Sequence, residues 1–377
     1  MDRKDLTEII TETLAIEAED AKKAGALGYM ARALVQATLP HKAAKENEFT
    51  RDNGLFSLTI LAPSKVGLPF GSIPRLLLSW MTTEAVYTRS PVLELGPTLS
   101  AFMGELGLAR QGGKRGDITR LKKQTESLFC STISCQYKDE TTTKGGGFTI
   151  AKDYLLWWNP KSPDQMPLWQ STVTLSTDFF KEIISRPVPV DMRALKLLKR
   201  SPMALDIYFW LTYRMSYLSK DTVIPWPLLQ MQFGADYATE GQGPRDFKRN
   251  FLKQLKKVHE VYKAAKVFEV ENGLLLKPSP PHVAKVPPPL LDAPRRQAAT
   301  ESALEQLAPC LLGEEIDVGK IWLRTETFDK AREIASRLDI YALEQDWRDW
   351  IAKKGEMPKN PDQAFLGFVR TKAKQHT

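Results

Sequence analysis

Leu6, Ile9, Ile10 and Leu14 fall at helical spacing, and Leu27, Met30, Ala31, Leu34 and Val35 do so again after Gly25 and Gly28. This pattern predicts an N-terminal helical arm that Pro40 ends. From Asn53 the period changes. Phe56, Leu58 and Ile60 alternate with Ser57 and Thr59, as in a half-buried strand. A turn-rich stretch from Pro63 to Pro74 follows. The run Arg75-Leu76-Leu77-Leu78-Ser79-Trp80-Met81 then opens a buried helix, and Pro97 to Leu108 makes a shorter one closed by Gly107. A basic, glycine-rich loop from Arg110 to Gly116 leads into a further helix near Asp117. Ser134 to Asp139 and Phe148 to Tyr154 read as two strands joined by a Thr- and Gly-rich tip, Thr141 to Gly147.

A similar order recurs downstream. Asp178 to Ser185 predicts a short helix, Met203 to Leu218 a long buried one, and Trp226 to Phe233 a short one opened by Pro225. The loop Gly234 to Pro244 precedes a long basic helix, Arg245 to Tyr262. Val267 to Val270 and Leu274 to Leu276 then form a hairpin over Glu271-Asn272-Gly273. The order helix, short helix, loop, helix, hairpin is that of a winged-helix domain. Two tandem copies account for most of the chain.

Prolines dominate residues 277–300 and forbid helix and central strand there, so this stretch is an extended linker. Beyond it, Ile340, Leu343, Trp347, Trp350 and Ile351 form one helical stripe. Asn360-Pro361 then sets a cap and an N-terminal proline before Phe365, Phe368 and Val369. The expected fold class is a mainly helical α+β protein. Its segments are an N-terminal helical arm (1–52), two winged-helix domains (53–170 and 171–283), a Pro-rich linker (284–315) and a C-terminal helical module (316–377). The arm fits plain packing as well as a homodimer contact.

Charge narrows the partners. The 377 residues carry a formal net charge of +8, which favours polyanions, nucleic acid before anionic membrane. Cys130, Cys135 and Cys310 are too few and too irregular for a disulfide framework. His41, His259, His282 and His376 have no metal-ligand spacing. The acidic first residues lack a signal-peptide pattern, and no apolar run reaches the ~18 residues of a membrane span. A cytoplasmic protein without cofactor, metal or catalytic residues is expected.

The helix Arg245–Tyr262 carries the strongest signal. Phe247, Phe251, Leu255, Val258 and Tyr262 share one narrow stripe. Arg245, Arg249, Lys253 and Lys256 lie opposite, flanked by Lys248 and Lys257. Residues 245–266 hold eight basic side chains against Asp246 and Glu260, a net +6. Such a helix can bury one face and offer the other to phosphates or base edges, although a merely solvated charged face has the same pattern. In the first half, Ile118, Leu121, Leu128 and Phe129 make the apolar side. Arg120, Lys123, Gln124, Ser127 and Ser131 are placed on the other, with Arg110, Lys114 and Arg115 in the loop before it. Lys138, Lys144 and Asn272-Gly273 are expected at wing tips that track the DNA backbone. Phe148, Tyr154, Trp157 and Trp158 fit core packing better than base stacking.

Gly112-Gly113-Lys114-Arg115 lacks the spacing of a phosphate-binding nucleotide loop, and His259-Glu260 lacks the second histidine of a zinc protease helix. Gln124 to Phe129 loosely matches a sliding-clamp peptide, but Leu128 and Phe129 belong to the buried face.

The stretch Gly67-Leu68-Pro69-Phe70-Gly71-Ser72-Ile73-Pro74-Arg75-Leu76-Leu77-Leu78-Ser79-Trp80 is similar to the opening signature of RepA-type plasmid replication initiators. Thr83 to Tyr87, Leu93 to Leu99, Leu106-Gly107-Leu108, Gly112-Gly113 and Lys123 to Phe129 continue it. The resemblance spans roughly residues 53–283. It implies two winged helices on repeated double-stranded DNA sites at a plasmid origin, origin opening, and recruitment of the host initiator and replicative helicase. A winged-helix repressor of the same locus shares the fold. A nickase or primase is the enzymatic alternative, and the scattered histidines speak against it.

Overall fold

The computed structural model describes residues 20–52, 56–113, 116–138, 141, 143–156, 163–164, 171–284 and 360–375. Single positions among 13–16 and 327–358 are also described. The chain divides into two compact units, Met1–Asp292 and Ala293–Thr377.

The first unit is mixed α/β. Its N-terminal stretch is not wholly helical. Leu27–Met30 forms β1, antiparallel to β9 at Val188–Asp191, and after it Arg32–Gln36 (α1) is helical. All four β1 residues are buried, so both faces are covered and the alternation that marks a strand is absent. The stripe Leu6 to Leu14 lies outside the described residues. Two strands, β2 (Glu48–Asp52) and β3 (Phe56–Leu61), follow.

The next elements are α2 (Ser72–Thr88), β4 (Val92–Glu94), α3 (Leu99–Glu105) and α4 (Asp117–Phe129). Thr98 caps α3 by accepting the Ala101 N–H. Then come β5 (Thr132–Lys138), β6 (Thr143–Thr149), β7 (Ala151–Leu155) and β8 (Thr172–Leu175). Here the expected hairpin is corrected. The glycines of the supposed tip are not a turn: Gly145, Gly146 and Gly147 pair with Gln136, Cys135 and Ser134 inside β6. That hairpin joins a four-stranded sheet of order β2-β3-β5-β6. Ala151–Leu155 belongs instead to a second sheet, β4-β8-β7. The buried Ile150 marks the break between them.

The second half runs α5 (Thr177–Ser185), β9, α6 (Met192–Leu198), α7 (Pro202–Met215), β10 (Thr222–Pro225), α8 (Trp226–Phe233), α9 (Gly243–Val261), β11 (Val267–Val270) and β12 (Gly273–Leu276). Ser176 and Ser201 cap α5 and α7. The last sheet has the order β10-β12-β11, which repeats β4-β8-β7: in each, the latest strand in the chain lies between the other two. Gly273 is obligatory here, because a Cβ would lie 2.1 Å from the Ile224 carbonyl oxygen. One continuous apolar core spans both halves and includes Leu77, Trp80, Phe102, Leu128, Phe209, Phe233 and Phe251.

In the second unit, α10 (Pro361–Gln375) buries Phe365 and Val369 among Leu343, Trp347 and Ile351. The Asn360 side chain accepts the Gln363 N–H, so the expected cap is present. Trp350 departs from the expected stripe. It is half exposed and packs on Phe368, with ring centroids 6.1 Å apart.

Candidate nucleic-acid interface

In each half the second helix after the first strand of the three-stranded sheet (α4 after β4, α9 after β10) carries the basic side chains. On α9 the apolar stripe is buried in full: Phe247, Phe251, Leu255, Val258 and Tyr262 all lie in the core. Phe251 packs between Phe247 and Phe233, and Trp226 closes over its edge. This packing turns Arg245, Arg249, Lys253, Lys256 and Lys257 to solvent. Arg249, 78% exposed, reaches back to Asp246 at 2.7 Å, an ion pair of the kind that contributes little in water. Lys248 is engaged differently. Its Nζ lies 2.8 Å from Glu269 Oε1 and 4.8 Å from the centre of the Trp226 ring. It ties α9 to β11 and α8 and is half-buried.

On α4 the expected face is partly corrected. Arg120 and Lys123 are exposed, and Arg120 pairs with Asp117 at 3.1 Å. Gln124 and Ser127, however, are buried. Gln124 Oε1 accepts the Phe70 N–H at 2.7 Å, and Ser127 Oγ donates to the Val66 carbonyl at 2.9 Å. Ser131 is buried too and donates to the Ser127 carbonyl. Gln124 and Ser127 fasten the segment Pro63–Gly71 onto the helix, so the buried face is wider than its apolar residues alone suggest. The exposed face is Thr119, Arg120, Lys122 and Lys123. Lys122 was not singled out from the sequence, although it lies beside Lys123 and its position on the helix could have placed it there.

The loop before α4 folds back onto the helix start. The Ile118 N–H reaches the Gln111 carbonyl, the Ala109 N–H reaches Asp117 Oδ2, and Thr119 Oγ1 donates to the Gly113 carbonyl. A Cβ on Gly116 would meet the Gln111 and Gly112 carbonyl oxygens at 2.3 Å. Glycine at 116 thus serves loop closure. Arg110 is largely exposed, 3.8 Å from Asp164. Lys114 and Arg115 lie outside the described residues.

Lys138 is exposed at the end of β5, where it pairs with Thr143 next to the Tyr137–Lys144 pair. Both lysines therefore belong to the four-stranded sheet β2-β3-β5-β6. The side chain of Lys144 is outside the described set. The Asn272-Gly273 turn stands between β11 and β12, beside α9. Phe148 stacks on Phe179 in the core, and Tyr154 packs on Phe129 while remaining partly exposed. Trp157 and Trp158 lie outside the described residues.

A cavity of about 300 Å³ opens beside α4, lined by Val66, Lys122, Glu126, Cys130, Tyr154, Leu155 and Leu156. The Tyr154 hydroxyl lies 3.3 Å from Cys130 Sγ, and that contact together with burial pushes the phenol up to about 12. Among the described residues, no group of three or more His, Cys, Asp or Glu could hold a metal ion. No helix among them is long and apolar enough to cross a membrane.

Two solved structures of RctB are similar to the chain. A selenomethionine crystal structure of RctB domains 2 and 3 aligns with a TM-score of 0.43 at 12% identity, over 65% of this chain and 95% of that one. A second crystal structure of the same domains aligns at 0.39 and 11%, over 65% and 96%. No curated protein sequence matches the chain. Residues 68–227 match the RepA_C family model, described as plasmid encoded RepA protein. The match begins just before α2, whose residues carry the sequence signature, and ends in α8. The similarity to plasmid encoded RepA proteins thus covers residues 68–227, from just before the signature helix α2 into α8.

Proposed function

We propose that the protein initiates plasmid replication by binding repeated double-stranded DNA sites at the origin, without catalysing a reaction. In this reading residues 53–170 and 171–283 are two winged-helix domains, and α4 and α9 are their groove-entering helices. The observation that carries it is the division of α9 into a fully buried aromatic face and an exposed face of Arg245, Arg249, Lys253, Lys256 and Lys257. A hairpin follows this helix directly, and the same strand order recurs around α4. Base-edge contacts from Arg and Lys with phosphate contacts around them are how such a helix reads a major groove.

The DNA contacts are Arg110, Arg120, Lys122 and Lys123 in the first half, with Lys138 on the four-stranded sheet. In the second half they are Arg245, Arg249, Lys253, Lys256 and Lys257. Lys114, Arg115 and Lys144 stay in the proposal on charge and position alone. Origin opening and recruitment of the host initiator and replicative helicase follow from the family resemblance. Footprinting on the DNA flanking the gene tests the reading. Several direct repeats protected in register support an initiator, a single palindrome supports a repressor, and no protection defeats both.

A further inference from the structure

Four ionisable side chains from distant stretches meet inside the first unit. Arg75, on α2, makes five hydrogen bonds. Nε donates to Asp206 Oδ1 and Nη2 to Asp206 Oδ2, both at 2.7 Å. Nη2 also donates to the Leu39 carbonyl, and Nη1 to those of Pro40 and Gly71. Every N–H of the guanidinium is thereby matched. Asp206, on α7, receives His41 Nε2 on the same Oδ2 at 2.7 Å. The cluster therefore joins the N-terminal stretch, the first helix of the first half and the first long helix of the second. Burial alone would raise the Asp206 carboxyl; Arg75 and His41 outweigh it and hold the group below its ordinary value.

Arg51, on β2, is the odd member. Its side chain is as buried as Arg75, yet Nε, Nη1 and Nη2 have no hydrogen-bond partner. Its guanidinium carbon lies 5.0 Å from the centre of the Phe49 ring. Burial pushes the group down to about 10, while the charges of Asp206 and Asp236 favour its ionised form and Arg75 opposes it. A saturated bidentate pair in the interior is worth keeping only because both partners are matched, whereas an unmatched buried guanidinium destabilises the arrangement that contains it.

We propose that this cluster is a metastable orientation lock between the two halves. Arg75 and Asp206 hold them in one arrangement, and the unmatched charge of Arg51 keeps that hold weak enough for the halves to shift when DNA engages both. The use of the lock rests on the reading that both halves contact DNA; its existence does not.

Hydrogen exchange on the full-length protein separates the two. Arg51→Met removes the unmatched charge and keeps an apolar chain beside Phe49. It should slow exchange in β2, the first turn of α2 and α7 roughly threefold or more and raise the thermal midpoint. Asp206→Asn should speed exchange in the same segments by roughly tenfold or more. If Arg51 merely fills space, both variants speed exchange, and that result overturns the lock. If Asp206→Asn does not fold, the sign of the Arg51→Met effect still decides. On origin DNA, Arg51→Met should also tolerate fewer one-base-pair insertions between the protected segments. Slower exchange with unchanged tolerance leaves the lock standing and overturns the two-sided DNA reading.

Discussion

Lys248 Nζ lies 2.8 Å from Glu269 Oε1, so the basic helix α9 is tied by charge to the first strand of the hairpin that follows it. The same ammonium sits over the Trp226 ring. Lys248 thus differs from its neighbours Arg249 and Lys253, which extend into solvent. Arg249→Ala or Lys253→Ala is expected to weaken DNA binding with little change in thermal stability. Each lost phosphate contact should lower the salt slope by about one charge. Lys248→Ala should cost a few tenths to about 1 kcal/mol of stability and less DNA affinity than the other two. Titration at several salt concentrations, beside thermal melts, measures both. Equal effects of all three on the DNA would remove the distinction.

On α4 the structure separates two roles that sequence merged. Gln124→Ala and Ser127→Ala leave the Phe70 N–H and the Val66 carbonyl without their partners, so each should destabilise by about 1–3 kcal/mol. Neither should alter base preference. Arg120, Lys122 and Lys123, on the exposed face, should alter sequence preference when replaced by Ala. Selection of binding sites from a random pool, run on all five variants, gives the comparison. A changed preference in the Gln124 variant would return that residue to the interface.

The contrast shows what a single sequence reveals. The buried face of α9 was legible because five apolar residues keep helical spacing, even though Gln254 is buried beside them. Its counterpart on α4 was half legible, since Gln124 and Ser127 are buried by partners 54 and 61 positions away. Helical period carries no trace of such a partner. β1 was misread for a related reason: Leu27–Met30 is buried on both faces and pairs with a strand more than 150 residues downstream, so its alternation vanishes. The glycines of β6 were read as a turn because glycine marks turns more often than strands. The tie between Arg75 and Asp206, 131 positions apart, left no local pattern at all.

Stability should fall on the acid side of neutrality because of two buried histidines. Burial pushes His41 and His282 below their ordinary value of 6.5, and their hydrogen-bonded or charged neighbours do not fully restore it. The unfolded chain therefore binds protons that the folded one refuses. Stability is fully present above about pH 6.5 and is lost as pH falls from there toward the lowered values, by up to about 1.4 kcal/mol per pH unit for each group. Asp206, held low, adds a further loss only below its unfolded value near 3.8. Urea unfolding between pH 5 and 8 measures the first effect. His282→Asn should flatten the curve, and an unchanged slope in that variant would remove His282 from the account. Tyr208, whose hydroxyl meets His282 Nδ1 at 2.7 Å, gives the Asn side chain a partner to keep.

The second unit, residues 293–377, has its own small core of Leu343, Trp347, Ile351, Phe365 and Val369. None of the side chains proposed to meet DNA belongs to it. Its described surface is mixed in charge: Glu344 pairs with Arg348 at 2.7 Å, and Asp346 is exposed, while Arg370 and Lys372 lie on α10. A mixed surface with a half-exposed Trp350 fits a protein partner better than a DNA groove, where acidic groups would be repelled. A fragment of residues 1–292 is therefore expected to keep the melting behaviour of the first unit and to protect the same origin repeats. It should nevertheless fail to maintain a plasmid when it replaces the full chain. Binding and plasmid establishment must be measured on the same fragment. Full maintenance would show that the second unit is dispensable. Loss of repeat binding with loss of fold would show instead that it supports the first unit. Intact binding without maintenance is the result that assigns residues 293–377 a partner other than the origin DNA.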